Sequence, residues 1–311
     1  MQTFDKLKLV AGLNSITIIK PEAFQMIEQG GRVISLRYYQ DKPNEILIKV
    51  DFENGEVVLE FTGKVLGKHY PQLISLDTIT ECFNNINAMG ICKIDIEAMM
   101  QAEVVKADYT KDIKGVDYKR LIPFIKSHII NYQSFKSTKH KNGNFDLEKN
   151  VDTRDMKKRI TIYDKEREMN LAKNRDYTTA NGLDGEFNDV CRFEINLNSK
   201  EQVRKSLNIS DNKLLSVLNS TANPIIDFLK SAVMEPDDNE RKYSDMKTYT
   251  MSLVLRDCDY DLEKVEAKIR SIYPTRGTSI KNKMKPYRDL MEQSAQGTEK
   301  DFWNDVLNKL K

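Results

Sequence analysis

Ile160-Thr-Ile-Tyr163-Asp-Lys165-Glu-Arg-Glu-Met169 begins with apolar and polar side chains in strict alternation, the period-two pattern of a half-buried β-strand. Read as a short strand, it sets Thr161, Tyr163 and Lys165 on one face. Two further runs alternate in the same way: Val104-Val-Lys-Ala-Asp-Tyr-Thr110 and Cys191-Arg-Phe-Glu-Ile-Asn-Leu197. Lys106 and Asp108 project from one face of the first, Arg192 and Glu194 from one face of the second. Asp112 joins Asp108 if that strand continues past Thr110. The runs 44–52 and 57–61 flank Asn54-Gly55, and Asn-Gly between alternating apolar runs is the strongest short-range hairpin signal.

Working outward, Leu76 to Met89 has helical spacing through Ile79, Cys82, Phe83 and Ile86; Gly90 stops it, and alternation resumes from Ile91 toward Asp112. A second amphipathic helix is expected from Asp117 to about Tyr132. Residues Ser134 to Lys158 are polar and turn-rich, with Asn142-Gly143 at the centre and Lys136, Lys139, Lys141, Lys157 and Lys158 along them, which reads as a loop or an exposed hairpin. A polar connection follows the 159–164 strand, and Ser199 to Leu207 opens a helix. An antiparallel sheet with flanking helices, an α+β fold, fits this order better than regular βαβ units.

Past Leu207 the strand pattern fades, and Ser210 to Leu229 looks helical before the acidic break Glu235-Pro-Asp-Asp-Asn-Glu240, the best candidate linker. From Ser244 the spacing predicts helices over 248–256, 260–272 and 278–293. The turn Tyr273-Pro-Thr-Arg-Gly277 between the last two gives a helix-turn-helix outline. Two domains are expected, 1–207 and 208–311, because 311 residues exceed the usual size of one core.

The formal net charge is only +2, but 49 basic and 47 acidic residues make local clusters matter more than their sum. From Ala267 to Arg288 there are seven basic residues and no acidic one: Lys268, Arg270, Arg276, Lys281, Lys283, Lys285 and Arg288. Phosphate binding is the direct reading, with Thr278, Ser279 and Lys281 opening a recognition helix; a solvated helical face is the plain alternative. The four cysteines, Cys82, Cys92, Cys191 and Cys258, lie far apart without CxxC spacing, so neither a zinc site nor a disulfide framework is indicated. No apolar run approaches the roughly 20 residues that span a bilayer, and the start lacks a signal-peptide core. A soluble cytoplasmic protein without membrane contact is expected.

The three polar faces together offer a tyrosine, a lysine, an arginine and carboxylates. Those are the groups that tyrosine attack on a phosphodiester requires, although each is also an ordinary component of a solvated sheet face. A phenol with a pKa of about 10 needs nearby positive charge to attack at neutral pH, and Lys165 stands ready to supply it. Carboxylates repeated on several strands suit a hard divalent cation. The chain has three histidines, His69, His128 and His140, and none forms a His-x-His pair, so a metal site would lean on carboxylates. His69 is a lone ligand, a lone acid or simply polar surface.

In order and spacing these strands resemble the gene II/X replication proteins of filamentous phages, rolling-circle initiators akin to plasmid initiators of the Rep-trans type. Lys106-Ala-Asp108 resembles the family's Arg-hydrophobic-Asp strand, Tyr163-Asp-Lys165 its Tyr-x-Lys strand, and Arg192-Phe-Glu194 reproduces its Arg-Phe-Glu strand. Leu59-Glu60 through His69 is similar to its acidic strand followed by Lys-Val-Leu and a histidine. The resemblance covers about residues 45 to 207, and the basic tail is similar to the family's C-terminal segment.

That resemblance implies Tyr163 as nucleophile with Lys165 and Arg192 beside it, and Asp108, Glu194 and Glu60 as metal or phosphate-site groups. Mg²⁺ or Mn²⁺ would be the cofactor. Lys106, which replaces the family's arginine, and the C-terminal basic residues would contact DNA. Lys106 keeps the charge but loses the bidentate fork. The implied activity is nicking of one strand at a replication origin, with a 5′-phosphotyrosine link and later rejoining. Its partners would be single-stranded and supercoiled double-stranded origin DNA and a host helicase and polymerase. No second tyrosine stands beside Tyr163, and no GxxxxGK[ST] motif for a nucleotide occurs. A non-enzymatic DNA-binding regulator and a mobilisation relaxase with the same chemistry are the competing readings.

Overall fold

The computed structural model describes the chain apart from residues 1, 42, 131–132, 151–157, 237–244, 259–260, 273–276 and 296–298. Twelve strands are present among the described residues: β1 (Phe4–Gly12), β2 (Ile16–Ile18), β3 (Gln25–Gln29), β4 (Arg32–Gln40), β5 (Ile46–Asp51), β6 (Glu56–Thr62), β7 (Cys92–Ile94), β8 (Glu103–Lys114), β9 (Phe135–Lys139), β10 (Phe145–Lys149), β11 (Arg159–Asp164) and β12 (Val190–Leu197). Ten form one antiparallel sheet in the order β3-β4-β5-β6-β1-β8-β12-β11-β10-β9, and β2 pairs with β7 apart from it. The expected Asn-Gly hairpin is β5–β6, and residues 134–149 form the exposed-hairpin alternative, β9–β10.

One face of this sheet is apolar because alternation sends Leu7, Leu9, Ile48, Leu59, Tyr109, Ile162, Phe193 and Ile195 to the same side, all buried. The flanking helices of this part are α1 (Ile79–Ala88), α2 (Ile96–Met100), α3 (Tyr118–Ser127), α4 (Lys165–Met169), α5 (Ala172–Ala180), α6 (Lys200–Leu207), α7 (Leu214–Leu218) and α8 (Pro224–Ala232). Phe83 of α1 meets Phe61 of β6 with ring centroids 6.1 Å apart, α6 packs on β8 and β12, and α8 packs on β12. Each apolar helical stripe thereby covers sheet that water would otherwise wet. The alternation expected unbroken from Ile91 to Asp112 is split by α2, whose first turn is capped where Asp95 accepts from Ala98 N at 2.9 Å. Helix α3 stops at Ser127, short of Tyr132, which lies outside the described residues.

The compact unit that contains the sheet comprises Met1–Met234 and Lys309–Lys311, so it runs past the expected 207/208 boundary and takes in α7 and α8. The second unit, Glu235–Asn308, begins at the expected linker, of which residues 237–240 lie outside the described residues. It holds α9 (Met246–Asp257), α10 (Leu262–Ile272) and α11 (Gly277–Ala295); α12 (Glu299–Lys309) closes the helical series. Leu255, Val265, Ile269, Ile280 and Met284 form the core that α9, α10 and α11 share. Arg276 and the side chains of Thr278 and Ser279 lie outside the described residues.

Candidate active site

The sequence stretch around Tyr163 is part strand, part helix. β11 ends at Asp164, whose carboxylate caps α4 by accepting from Arg167 N at 2.9 Å, so Lys165 is the first helical residue rather than a strand residue. The expected shared face with Tyr163 is nonetheless met by another route. The Lys165 side chain turns back under the sheet and its Nζ stands 5.7 Å from the Tyr163 ring centroid.

Register then decides which side chains meet. Tyr163 lies opposite Arg192, and Arg192 opposite Asp112; in the next polar row Thr161, Glu194 and Thr110 align. Tyr163 Oη donates to Glu194 Oε1 at 2.8 Å. Arg192 is fully buried and makes a two-pronged contact with Asp112, Nε to Oδ1 at 2.6 Å and Nη2 to Oδ2 at 2.7 Å. Its Nη1 donates at 2.9 Å to both Asp5 Oδ1 and Tyr70 Oη, and Glu194 Oε1 is 3.9 Å away. Lys165, 2% exposed, donates to Tyr70 Oη at 2.9 Å and to Glu168 Oε2 at 2.7 Å.

Asp5 and Tyr70 were invisible to pattern reading, and each arrives by a backbone irregularity. Between Phe4, paired with Tyr109, and Lys6, paired with Asp108, β1 carries one extra residue, a β-bulge. The bulge lets Phe4 enter the core while consecutive Asp5 and Lys6 both serve the polar side. The spacing of Phe4, Leu7 and Leu9, three and then two, is the one trace of it in the sequence. Tyr70 comes from a 3₁₀ stretch, Gly63–Gln72, that bends at Gly67 with φ of 58°. Tyr70 Oη donates to Asp5 Oδ1 at 2.9 Å. Tyr70, Leu73, Met169, Tyr177, Leu183 and Phe187 form a small apolar cluster, with Phe187 and Tyr70 rings each within 5.6 Å of Lys165 Nζ. This roof explains why a face that should be wet is buried here.

Burial makes the charges interdependent. Asp5, Asp112, Glu168 and Glu194 share the space with Arg192 and Lys165, and half-buried Lys64 reaches Asn174 at 2.9 Å. Acids outnumber cations, so one carboxyl is favoured to keep its proton. Glu194 is that group: burial first, then the neighbouring Asp5 charge, push it up to about 8. Against the same burial, Arg192 and then Lys165 hold Asp5 below its ordinary value. Burial, helped by Glu194, pushes the Tyr163 phenol well up, so it is a neutral hydrogen-bond donor at rest.

The expected metal set is not gathered. Asp108 is raised by burial and accepts from Asn196 at 2.9 Å, on the row beyond Glu194. Glu60 pairs with Lys6 at 2.9 Å and Lys8 at 3.3 Å. Strands β1 and β8 lie between Glu60 on β6 and Glu194 on β12, a separation of about 14 Å at the usual strand spacing. An Mg²⁺ ion needs its oxygens at about 2.0–2.1 Å. Among the described residues no three His, Cys, Asp or Glu side chains are arranged to hold a metal ion. The triple Asp108, Glu194 and Glu60 therefore does not fit one ion, and the positive charge among the buried carboxylates is supplied by Arg192 and Lys165. Arg192, fully engaged by Asp112, Asp5 and Tyr70, positions the site rather than gripping phosphate. His69 is half-buried, with Nδ1 2.7 Å from Glu81.

Lys106 faces Lys8 across the β1–β8 ladder, half-exposed on the same side as Asp108. In the helical unit Lys268 pairs with Asp257 and Arg270 with Glu266, whereas Lys281, Lys285 and Arg288 are exposed on α11. Lys283 is half-buried on the same helix. No helix among the described residues is long and apolar enough to cross a membrane. Comparison of the chain with protein-family models, curated proteins and solved structures gives no match.

Proposed function

We propose that this chain is a rolling-circle replication initiator that nicks and rejoins one DNA strand through Tyr163, as its likeness to gene II/X proteins implies. The single observation that carries the reading is the Tyr163–Glu194 hydrogen bond at 2.8 Å, made by a phenol only 7% exposed, so a DNA strand reaches it only once the cover over this part of the sheet moves. In this reading the sheet is a Rep endonuclease-like domain. Helices α10 and α11 form a helix-turn-helix-like unit that holds duplex origin DNA, with Lys281, Lys285 and Arg288 one helical turn apart on one face. The protein would work in the cytoplasm with a host helicase and polymerase.

Glu194 in its ionised form takes the phenol proton as Tyr163 Oη attacks phosphorus. The Oη–P bond forms, the P–O3′ bond breaks, and the departing 3′ oxygen takes a proton from solvent. Rejoining runs these steps backward, with Glu194 returning its proton to Tyr163. The phosphotyrosine conserves the bond energy, so closure needs no nucleotide. Lys165 and Arg192 keep positive charge beside the phenol, and Arg192 fixes Glu194 and Asp112 in place. No step is assigned to a metal.

The test is incubation of the full chain with single-stranded oligonucleotides tiled across its coding DNA and flanks, in Mg²⁺, Mn²⁺ or chelator. Trypsin would release Ile160–Lys165, and mass spectrometry should find that peptide carrying a nucleotide on Tyr163. Tyr163→Phe should abolish both adduct and nick. Nicking by Tyr163→Phe equal to the parent overturns the nucleophile; binding of DNA without any cleavage by the parent favours the non-enzymatic regulator.

A further inference from the structure

The ten-stranded sheet ends in two rims of different chemistry, β9 and β3. On β9, Phe135-Lys-Ser-Thr-Lys139, two lysines stand along the rim, a common device against pairing with a further strand. On β3, Gln25-Met-Ile-Glu-Gln29, there is neither a lysine nor a proline, and Glu28 is the one charge. The core stops just before it: Phe24 is buried against Tyr38 with ring centroids 5.6 Å apart, whereas all five residues of β3 are exposed. Met26 and Ile27 point to opposite faces, 49% and 39% exposed. Exposed Val33 of β4 and Phe52, whose N donates to Ile34 O of β4, add apolar surface at the same end of the sheet.

Pairing with β4 holds β3 extended, and its outer rim presents backbone N–H and C=O groups that another strand can take. When two identical strands pair antiparallel, a two-fold axis relates them and directly opposed residues share a face, so one residue meets its own copy at the centre. Centred on Glu28, such a pair sets two carboxylates against each other. Centred on Met26, it calls on Phe24, which the core already holds, to stand opposite Glu28. Centred on Ile27, it overlaps all five residues, Gln25 with Gln29, Met26 with Glu28 and Ile27 with its copy, and no like charges are opposed.

We infer that β3 pairs antiparallel with β3 of a second copy of this chain, about a two-fold axis at Ile27, so that one sheet runs through two subunits. The assembly stops at two, because the rims left at its ends are both β9, with Lys136 and Lys139 along them. Strands of five residues bury less than the roughly 1,200 Å² of a standard interface, so the dimer is reversible, with a Kd on the order of micromolar. The pairing does not depend on the reading of Tyr163, whose strand β11 lies far across the sheet from β3.

The test is sedimentation velocity of the full chain over about 1 to 200 µM, a range that brackets such an affinity. The parent should pass from monomer to dimer. Ile27→Lys, at an exposed position, should raise the dissociation constant at least about tenfold with the melting temperature unchanged. Under mild oxidation Ile27→Cys should form a disulfide-linked dimer, because directly opposed residues have Cα atoms about 4.5–5.5 Å apart, within the span of a disulfide. Gln25→Cys should not, since its two copies would stand about 13 Å apart along the strands. The native cysteines Cys82, Cys92, Cys191 and Cys258 are all buried and leave the result unclouded. A parent that is monomeric at every concentration overturns the pairing. So does a dimer that Ile27→Lys leaves unchanged, or cross-linking of Gln25→Cys as readily as of Ile27→Cys.

Discussion

Glu194→Gln keeps an oxygen for Tyr163 Oη and deletes one titration. In the folded chain burial and then Asp5 lift this carboxyl from 4.5 to about 8, and its side chain is only 16% exposed. At about 1.4 kcal/mol per tenfold change in proton affinity, ionising it in place costs on the order of 5 kcal/mol. The folded state binds this proton more tightly than the unfolded chain does. The resulting stability is therefore whole below 4.5 and is lost as pH rises through about 8. Asp108, raised by burial, acts in the same direction. Asp5 and Glu168 are held low, against burial, by Arg192 and Lys165, and lose their contribution only on the acid side. Urea unfolding from about pH 5.5 to 8.5 should show the parent losing about 3 kcal/mol more than Glu194→Gln. Parallel curves would refute the protonated Glu194. The same variant should nick about 10²–10⁴-fold more slowly, since glutamine cannot accept the phenol proton, and the parent's rate should climb toward a plateau above about pH 8.

Two further outcomes follow from charge placement. Arg192→Met strips the partner from Asp112 and Asp5 and should cost about 3–5 kcal/mol in urea unfolding near neutral pH; a loss below about 1 kcal/mol would mean that the carboxylates find other partners. Lys281→Gln, Lys285→Gln and Arg288→Gln should each flatten the salt dependence of duplex binding by about 0.9, whereas Lys268→Gln and Arg270→Gln, whose partners are Asp257 and Glu266, should flatten it less. Equal slopes for all five would remove α11 as the contact surface.

The α+β character, the Asn-Gly hairpin, the three strands bearing Tyr163, Arg192 and Asp108, and the helical C-terminal part were legible in the sequence by itself. Each rests on period-two or period-3.6 spacing between residues a few positions apart, and such local preferences survive without knowledge of the rest of the chain. Same-face placement within one strand was also legible, which pairs Arg192 with Glu194, and Asp108 with Asp112, from alternation alone. Only the tertiary structure decided which strands are neighbours. Strand order put Glu60 far from Glu194 and set Asp112 against Arg192, and the packing of α7 on β8 and α8 on β12 carried the compact unit past Leu207. It also decided where Lys165 goes, because a capping aspartate ends β11 one residue before it. Asp5 and Tyr70 entered through a bulge and a bent 3₁₀ stretch, departures from periodicity that no regular pattern marks. Proton affinity was the last property to emerge: whether Glu194 is charged depends on its burial and on Asp5, a residue 189 positions away in the chain.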